Sequence, residues 1–177
     1  MILATSRRVH VQRQAWQALG LFTIFGLFGL WRVSAWTESF GLVIFYAALV
    51  VNTFFSVRCF SAITPPLISQ RFVDAVLVLF YGLLAFQFSS PIRFTAVATL
   101  LFAVSAIKYA WLSQHVTYHK LLQRKFRVNS AGVFLCLAAF LGIASGFPFL
   151  STTVLVLGYL TANFYLLLIR PLYVLDQ

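Results

Sequence analysis

Six runs of apolar residues dominate this chain, at positions 15–31, 40–57, 72–88, 94–113, 130–144 and 150–169. A helix rises about 1.5 Å per residue and the hydrocarbon core of a bilayer is about 30 Å thick, so a span needs roughly 17–25 mostly apolar residues. Most of the runs meet that length. They are apolar all round, with no alternation of polar and apolar positions. A strand of an outer-membrane barrel would alternate. Lipid offers the backbone no hydrogen-bond partner, so these runs are expected as α-helices. The chain is therefore read as all-α, a polytopic transmembrane helix bundle of about six spans in a membrane of the bacterial inner (cytoplasmic) type.

Composition closes off the water-soluble alternative. Charged residues make up 9% of the chain and hydrophobic ones 62%, against about 25% charged in an ordinary soluble domain. Too little polar surface exists to face water. The net charge of +10 does not point to a nucleic-acid partner, because the basic residues punctuate the apolar runs and do not mass on one soluble face.

Those cations orient the bundle. With the N-terminus in the cytoplasm, Arg7, Arg8, Arg13, Arg58, Arg71, Lys108, Lys120, Arg124, Lys125, Arg127 and Arg170 fall on the inner side, and only Arg32 and Arg93 fall outside. This is the positive-inside bias. Both termini are then cytoplasmic. Trp16 and Trp111 lie near the inner interface, and Trp31 and Trp36 near the outer one, as an aromatic belt requires. A second reading of the N-terminus is a cleaved secretory signal ending at Val33-Ser34-Ala35. The long basic region and the bulky Trp31-Arg32 pair argue against it.

The connections carry turn chemistry. Ser89-Ser90-Pro91 and Ser145-Gly146-Phe147-Pro148 read as tight turns. The segment 58–71 contains Pro65-Pro66, and the basic segment 114–129 is read as a connection. No linker is long or polar enough to divide the chain, so one integral membrane domain covering residues 1–177 is expected.

Inside the spans, ionisable acids and bases are rare. Asp74 and Lys108 both fall in the cytoplasmic third, about 4–5 Å and 9 Å from the ends of their spans by helical rise. Intramembrane charges mark candidate sites. The ordinary alternatives are an inter-helical salt bridge, or a lysine reaching back to the interface. One or other of these is expected for Lys108, which points away from the small-residue stripe of Thr99, Ala103, Ala106 and Ala110. Asn52, Tyr81, Tyr159 and Asn163 lie at similar depth. Together with Asp74 and Lys108 they form a candidate polar pocket open to the cytoplasm; the alternative is inter-helical hydrogen bonding without a pocket.

Lys120, Arg124, Lys125 and Arg127 are candidate contacts for anionic lipid head groups. His115 and His119 share a helical face but have no carboxylate or cysteine neighbours to complete a metal site. Cys59 and Cys136 form no metal-binding or redox motif. No cofactor is implied. No catalytic motif is present, and the only acids are Glu38, Asp74 and Asp176, so a non-enzymatic role is expected. Small residues at Ala138, Gly142 and Gly146, and at Gly158 and Ala162, let helices approach closely. Their partner is another span, a second copy or another membrane protein. Finally, Val76–Tyr81 and Val154–Tyr159 are near-identical and lie on oppositely directed spans, as in a three-plus-three inverted repeat. These features suggest a small carrier or channel-type subunit, or else a non-catalytic scaffold subunit.

Overall fold

The computed structural model describes residues 2–34, 36–64, 68–115 and 119–169, with backbone alone at residues 2–9, 38 and 119. The predicted features at Arg7, Arg8, Ala35, Pro65-Pro66, Arg170-Pro171 and Asp176, and the Glu38 side chain, lie outside that set. Among the described residues six α-helices follow one another: α1 (Ile2–Trp31), α2 (Trp36–Phe60), α3 (Ile68–Ala85), α4 (Pro91–Ser113), α5 (His119–Ala144) and α6 (Pro148–Phe164). A π-helical turn, Tyr165–Ile169, continues α6. No strand occurs among the described residues.

Among the described residues five helices are long and apolar enough to cross a membrane, over Ser39–Phe60, Ile68–Ala85, Pro91–Ser113, Lys120–Ala144 and Pro148–Ile169. The molecule is a multi-pass helical membrane bundle. The sixth expected span, 15–31, lies within α1, which is not one of the five. Polar Gln14 and Gln17 stand at the start of its apolar stretch. α1 is nevertheless part of the bundle, with Ala15 and Phe22 buried.

The helices close into a ring. Going round, α1 packs on α2, α2 on α6, α6 on α5, α5 on α4, α4 on α3, and α3 back on α1. This arrangement does not repeat its two halves. The seam of α5 with α6 has no counterpart of similar extent between α2 and α3. The matching Val-Leu-Val-Leu strings of α3 and α6 therefore do not organise the packing as an inverted repeat, and reflect a shared apolar alphabet.

Local chemistry sets the helix ends. Pro91 and Pro148 open α4 and α6 at their first turn, where a missing N–H costs nothing. Gly146 ends α5 with φ +91°. Its N–H donates to the Ile143 carbonyl, and the Phe147 N–H donates to the Gly142 carbonyl. That pair of bonds is a Schellman cap, which needs a left-handed residue at this position.

The core is aromatic. Phe45 meets Phe94, Phe102 and Tyr159 with ring centroids 5.7, 6.4 and 4.4 Å away. Phe22 stacks on Tyr81 at 4.0 Å, and the Tyr46 hydroxyl donates to the Phe22 carbonyl at 2.9 Å. Lipid is as apolar as these rings, so dispersion and shape, and not escape from water, hold the helices together. Outward-facing residues such as Leu79, Ile107, Phe134 and Phe149 are 68, 68, 71 and 81% exposed, as a lipid-facing surface requires. Two of the small residues touch the neighbouring helix. Gly142 abuts Ser151, and Gly158 abuts Leu135, so both belong to the seam of α5 with α6.

The largest departure from the sequence reading is the segment 114–129, expected as a connection. It is helical from His119 onward and belongs to α5. Leu122 is fully buried in a second, smaller core with Cys59, Phe60, Tyr109 and Leu112. The physical reason is a stripe with helical spacing. Leu122, Lys125, Asn129, Gly132, Cys136 and Ala139 are all buried on one face. The density of positive charge in the segment hides that stripe from a count of apolar residues.

Candidate functional site

A cavity of about 600 Å³ opens at the end of the ring where α1, α3 and α5 begin and α2, α4 and α6 finish. His10, Gln14, Ser61, Thr64 and Arg71 stand around its mouth, and Tyr81, Phe22, Phe102 and Tyr159 close its floor. Five of the six candidate pocket residues line it: Asn52, Asp74, Tyr81, Lys108 and Tyr159. Asn163, the sixth, sits behind Asn52 and is bonded to it.

The lining is built from two connected polar systems. One links α5, α2 and α6. Lys125 Nζ donates to Asn52 Oδ1 at 3.4 Å. Asn52 Nδ2 donates to Asn163 Oδ1, and Asn163 Nδ2 donates to the Tyr159 backbone carbonyl at 3.1 Å. Each amide passes the polarisation of the ammonium onward, which strengthens the next bond. All three side chains belong to buried residues.

The other system links α2, α3 and α4. Thr53 donates to the Leu49 carbonyl at 2.9 Å, leaving its oxygen to accept from the Tyr81 hydroxyl. Ser56 and Tyr109 share a hydroxyl hydrogen bond at 3.0 Å. Lys108 Nζ is ion-paired with Asp74 Oδ1. The ammoniums of Lys108 and Lys125 lie 5.7 and 5.9 Å from the centroid of the Tyr109 ring, a distance at which the ring quadrupole attracts cations.

The structure selects between the two ordinary readings of Lys108 and corrects the placement of Lys125. Of the two, the inter-helical ion pair is the one found, and Lys108 does not reach back to the interface. Its side chain is 14% exposed and engages Asp74 across the gap between α4 and α3. Lys125 does not stand on the outer surface with the other cations of its segment. It is 5% exposed and lines the cavity, because it falls on the buried stripe of α5. The other three cations of that segment differ from it: Lys120 and Arg127 are exposed and Arg124 is half-buried. His115 stacks on Trp111 at 4.6 Å, with Nδ1 against the Trp111 carbonyl. No group of three His, Cys, Asp or Glu residues converges among the described residues.

The sequence reading missed several lining residues. Gln70, Ser105, Tyr109 and Asn129 all face the cavity. A signal existed for Asn129, which lies four positions past Lys125 and three before Gly132 on one helical face. None existed for Gln70, which stands in the first turn of α3 where polar residues are ordinary.

A multi-pass helical membrane protein with a polar cavity at its cation-rich end is the class that this fold and site define. Protein-family models, curated proteins and solved structures give no match to this chain.

Proposed function

We propose that this protein is a small carrier-type membrane protein that admits a polar solute into a cavity facing the cytoplasm. The observation that carries the reading is the cavity itself. A bundle needing only structural hydrogen bonds would pack its polar groups against each other. Here amides, hydroxyls and three cations, Arg71, Lys108 and Lys125, border about 600 Å³ of open space. That volume is in the usual range for a small-molecule site, about 300–1,000 Å³.

The cytoplasmic orientation follows from the same residues. The mouth lies at the end that carries Arg58, Arg71, Lys120 and Arg127, and the positive-inside bias retains such ends in the cytoplasm. Both termini are then cytoplasmic, in a membrane of the bacterial inner type. The reading is of a non-enzymatic role, supported by the lack of any catalytic motif in the sequence. The competing reading, a scaffold subunit, draws on the small-residue stripes. Gly142 is taken up by its contact with Ser151, whereas Ala138, Gly146, Gly158 and Ala162 are exposed; the scaffold reading draws on those four but gives the cavity no role.

The test is a steric plug. Ser105→Trp places an indole in the cavity, whereas Leu79→Trp on the lipid-facing side of α3 leaves it open. In proteoliposomes or thermal-shift screens against a panel of small polar solutes, uptake or stabilisation is expected for the parent and Leu79→Trp and lost for Ser105→Trp. Equal behaviour of both variants, or co-purification of a stoichiometric protein partner with no solute response, refutes the carrier reading.

A further inference from the structure

Two buried amides in the cavity wall have groups with no hydrogen-bond partner. Gln70 is 3% exposed, and both its Nε2 and its Oε1 are unsatisfied. Asn129 is 4% exposed with Nδ2 unsatisfied. Leaving a buried polar group unpaired costs about 1–3 kcal/mol, and membrane helices have abundant backbone and hydroxyl acceptors with which to avoid it. Both residues border the cavity beside Arg71 and Lys125.

These groups have a common chemistry. Gln70 Nε2 and Asn129 Nδ2 are donors, and the Arg71 guanidinium and Lys125 ammonium bring charged donors to the same space. The acidic side is thin: the whole chain has three Asp and Glu residues against 13 Lys and Arg, and the one acid in the lining, Asp74, is engaged by Lys108. The space therefore favours an anion. Lys125 and Asn129 stand four residues apart on the buried face of α5, and Gln70 and Arg71 line the cavity from the first turn of α3, toward its mouth. A tetrahedral anion presents oxygens in several directions to such a set; a planar carboxylate presents two in one plane. Gln70 Oε1 needs a donor in return, which a hydroxyl on the esterified group supplies.

We infer that the cavity binds a phosphate-bearing solute, its phosphate group taken by Lys125 and Asn129 on one face of α5, with Gln70 and Arg71 nearer the mouth to hold the small organic or glycerol moiety. This inference rests on the carrier reading, since it names the solute class of the same cavity. The phosphate can come from a water-soluble phosphomonoester or from a lipid head group, and the chemistry of recognition is shared.

The experiment uses the full chain, delipidated in neutral detergent and reconstituted in phosphatidylcholine nanodiscs. Binding of inorganic phosphate, glycerol phosphate and short-chain phosphatidylglycerol is measured by calorimetry, beside a neutral polyol, a hydroxycarboxylate and an organic cation. A phosphate-bearing probe is expected to bind, and Gln70→Leu and Lys125→Met are each expected to weaken it by about tenfold or more. Lys125→Met removes a buried charge and keeps the side-chain volume, so it is expected to fold at least as well as the parent. Preference for the two soluble phosphates, or for phosphatidylglycerol, supports the inference and identifies the source. Binding of the polyol, carboxylate or cation in preference to phosphate, blocked by Ser105→Trp, overturns the phosphate assignment and keeps the carrier reading. Absence of binding by every probe overturns both. Phosphate binding unchanged in Gln70→Leu and Lys125→Met overturns the assigned residues.

Discussion

Replacing Asp74 by asparagine probes an ion pair whose two members stand in unequal surroundings. Lys108 is 14% exposed at its side chain and Asp74 is 55% exposed. Exposed pairs contribute about 0.2–1 kcal/mol, because water screens them and ordering two side chains costs entropy. Stripping the partner from a fully buried charge costs about 3–5 kcal/mol. Asp74→Asn strands the more buried member. The nearby Tyr109 ring offsets only part of the loss, so a destabilisation of about 2 kcal/mol is expected, between those limits. Lys108→Met strands the more open member, which water at the cavity mouth can solvate, and is expected to cost less than about 1 kcal/mol. The double variant is expected near the parent, since no lone charge is left. Reversible unfolding in mixed micelles, run as a double-mutant cycle, measures all three. A larger cost for Lys108→Met than for Asp74→Asn would refute the assignment of burial. So would single effects that add to within about 0.3–0.5 kcal/mol, the range for independent sites.

Two glycines of α1 are expected to behave oppositely when changed to alanine. A Cβ at Gly29 would overlap the Ala85 backbone carbonyl where α1 meets α3, so Gly29→Ala is expected to cost about 1–3 kcal/mol or more by overpacking. A Cβ at Gly20 meets nothing within 4 Å, and Gly20→Ala is expected to be neutral or to gain up to about 1 kcal/mol from helix propensity; the same unfolding assay ranks them. Labelling checks the orientation. Cys59 and Cys136 are buried and are expected to resist maleimide in the folded protein. Ser61→Cys at the cavity mouth is expected to react with a membrane-impermeant maleimide only from the cytoplasmic face. Labelling from the outer face alone would invert the topology.

The sequence alone determined the solvent of this protein. Apolar runs of span length, too little charge to cover a water-facing surface, and turns such as Ser89-Ser90-Pro91 and Ser145-Gly146-Phe147-Pro148 are local properties of the chain. The depths of Asn52, Tyr81, Tyr159 and Asn163 were equally legible, because helical rise converts position along a span into depth. What the sequence could not supply was which faces meet. Lys125 lies among three other cations and has the composition of a surface residue; only the packing of Leu122 against Cys59, Phe60 and Tyr109 turns it inward. The pairing of Asp74 with Lys108 and of Asn52 with Asn163 joins residues far apart in the chain, and it depends on the circular order of the six helices. That order arises from side-chain shape at the seams, such as Gly29 against Ala85 and Gly142 against Ser151. Hydrophobicity cannot encode it, because in lipid every apolar face is equally content to remain exposed.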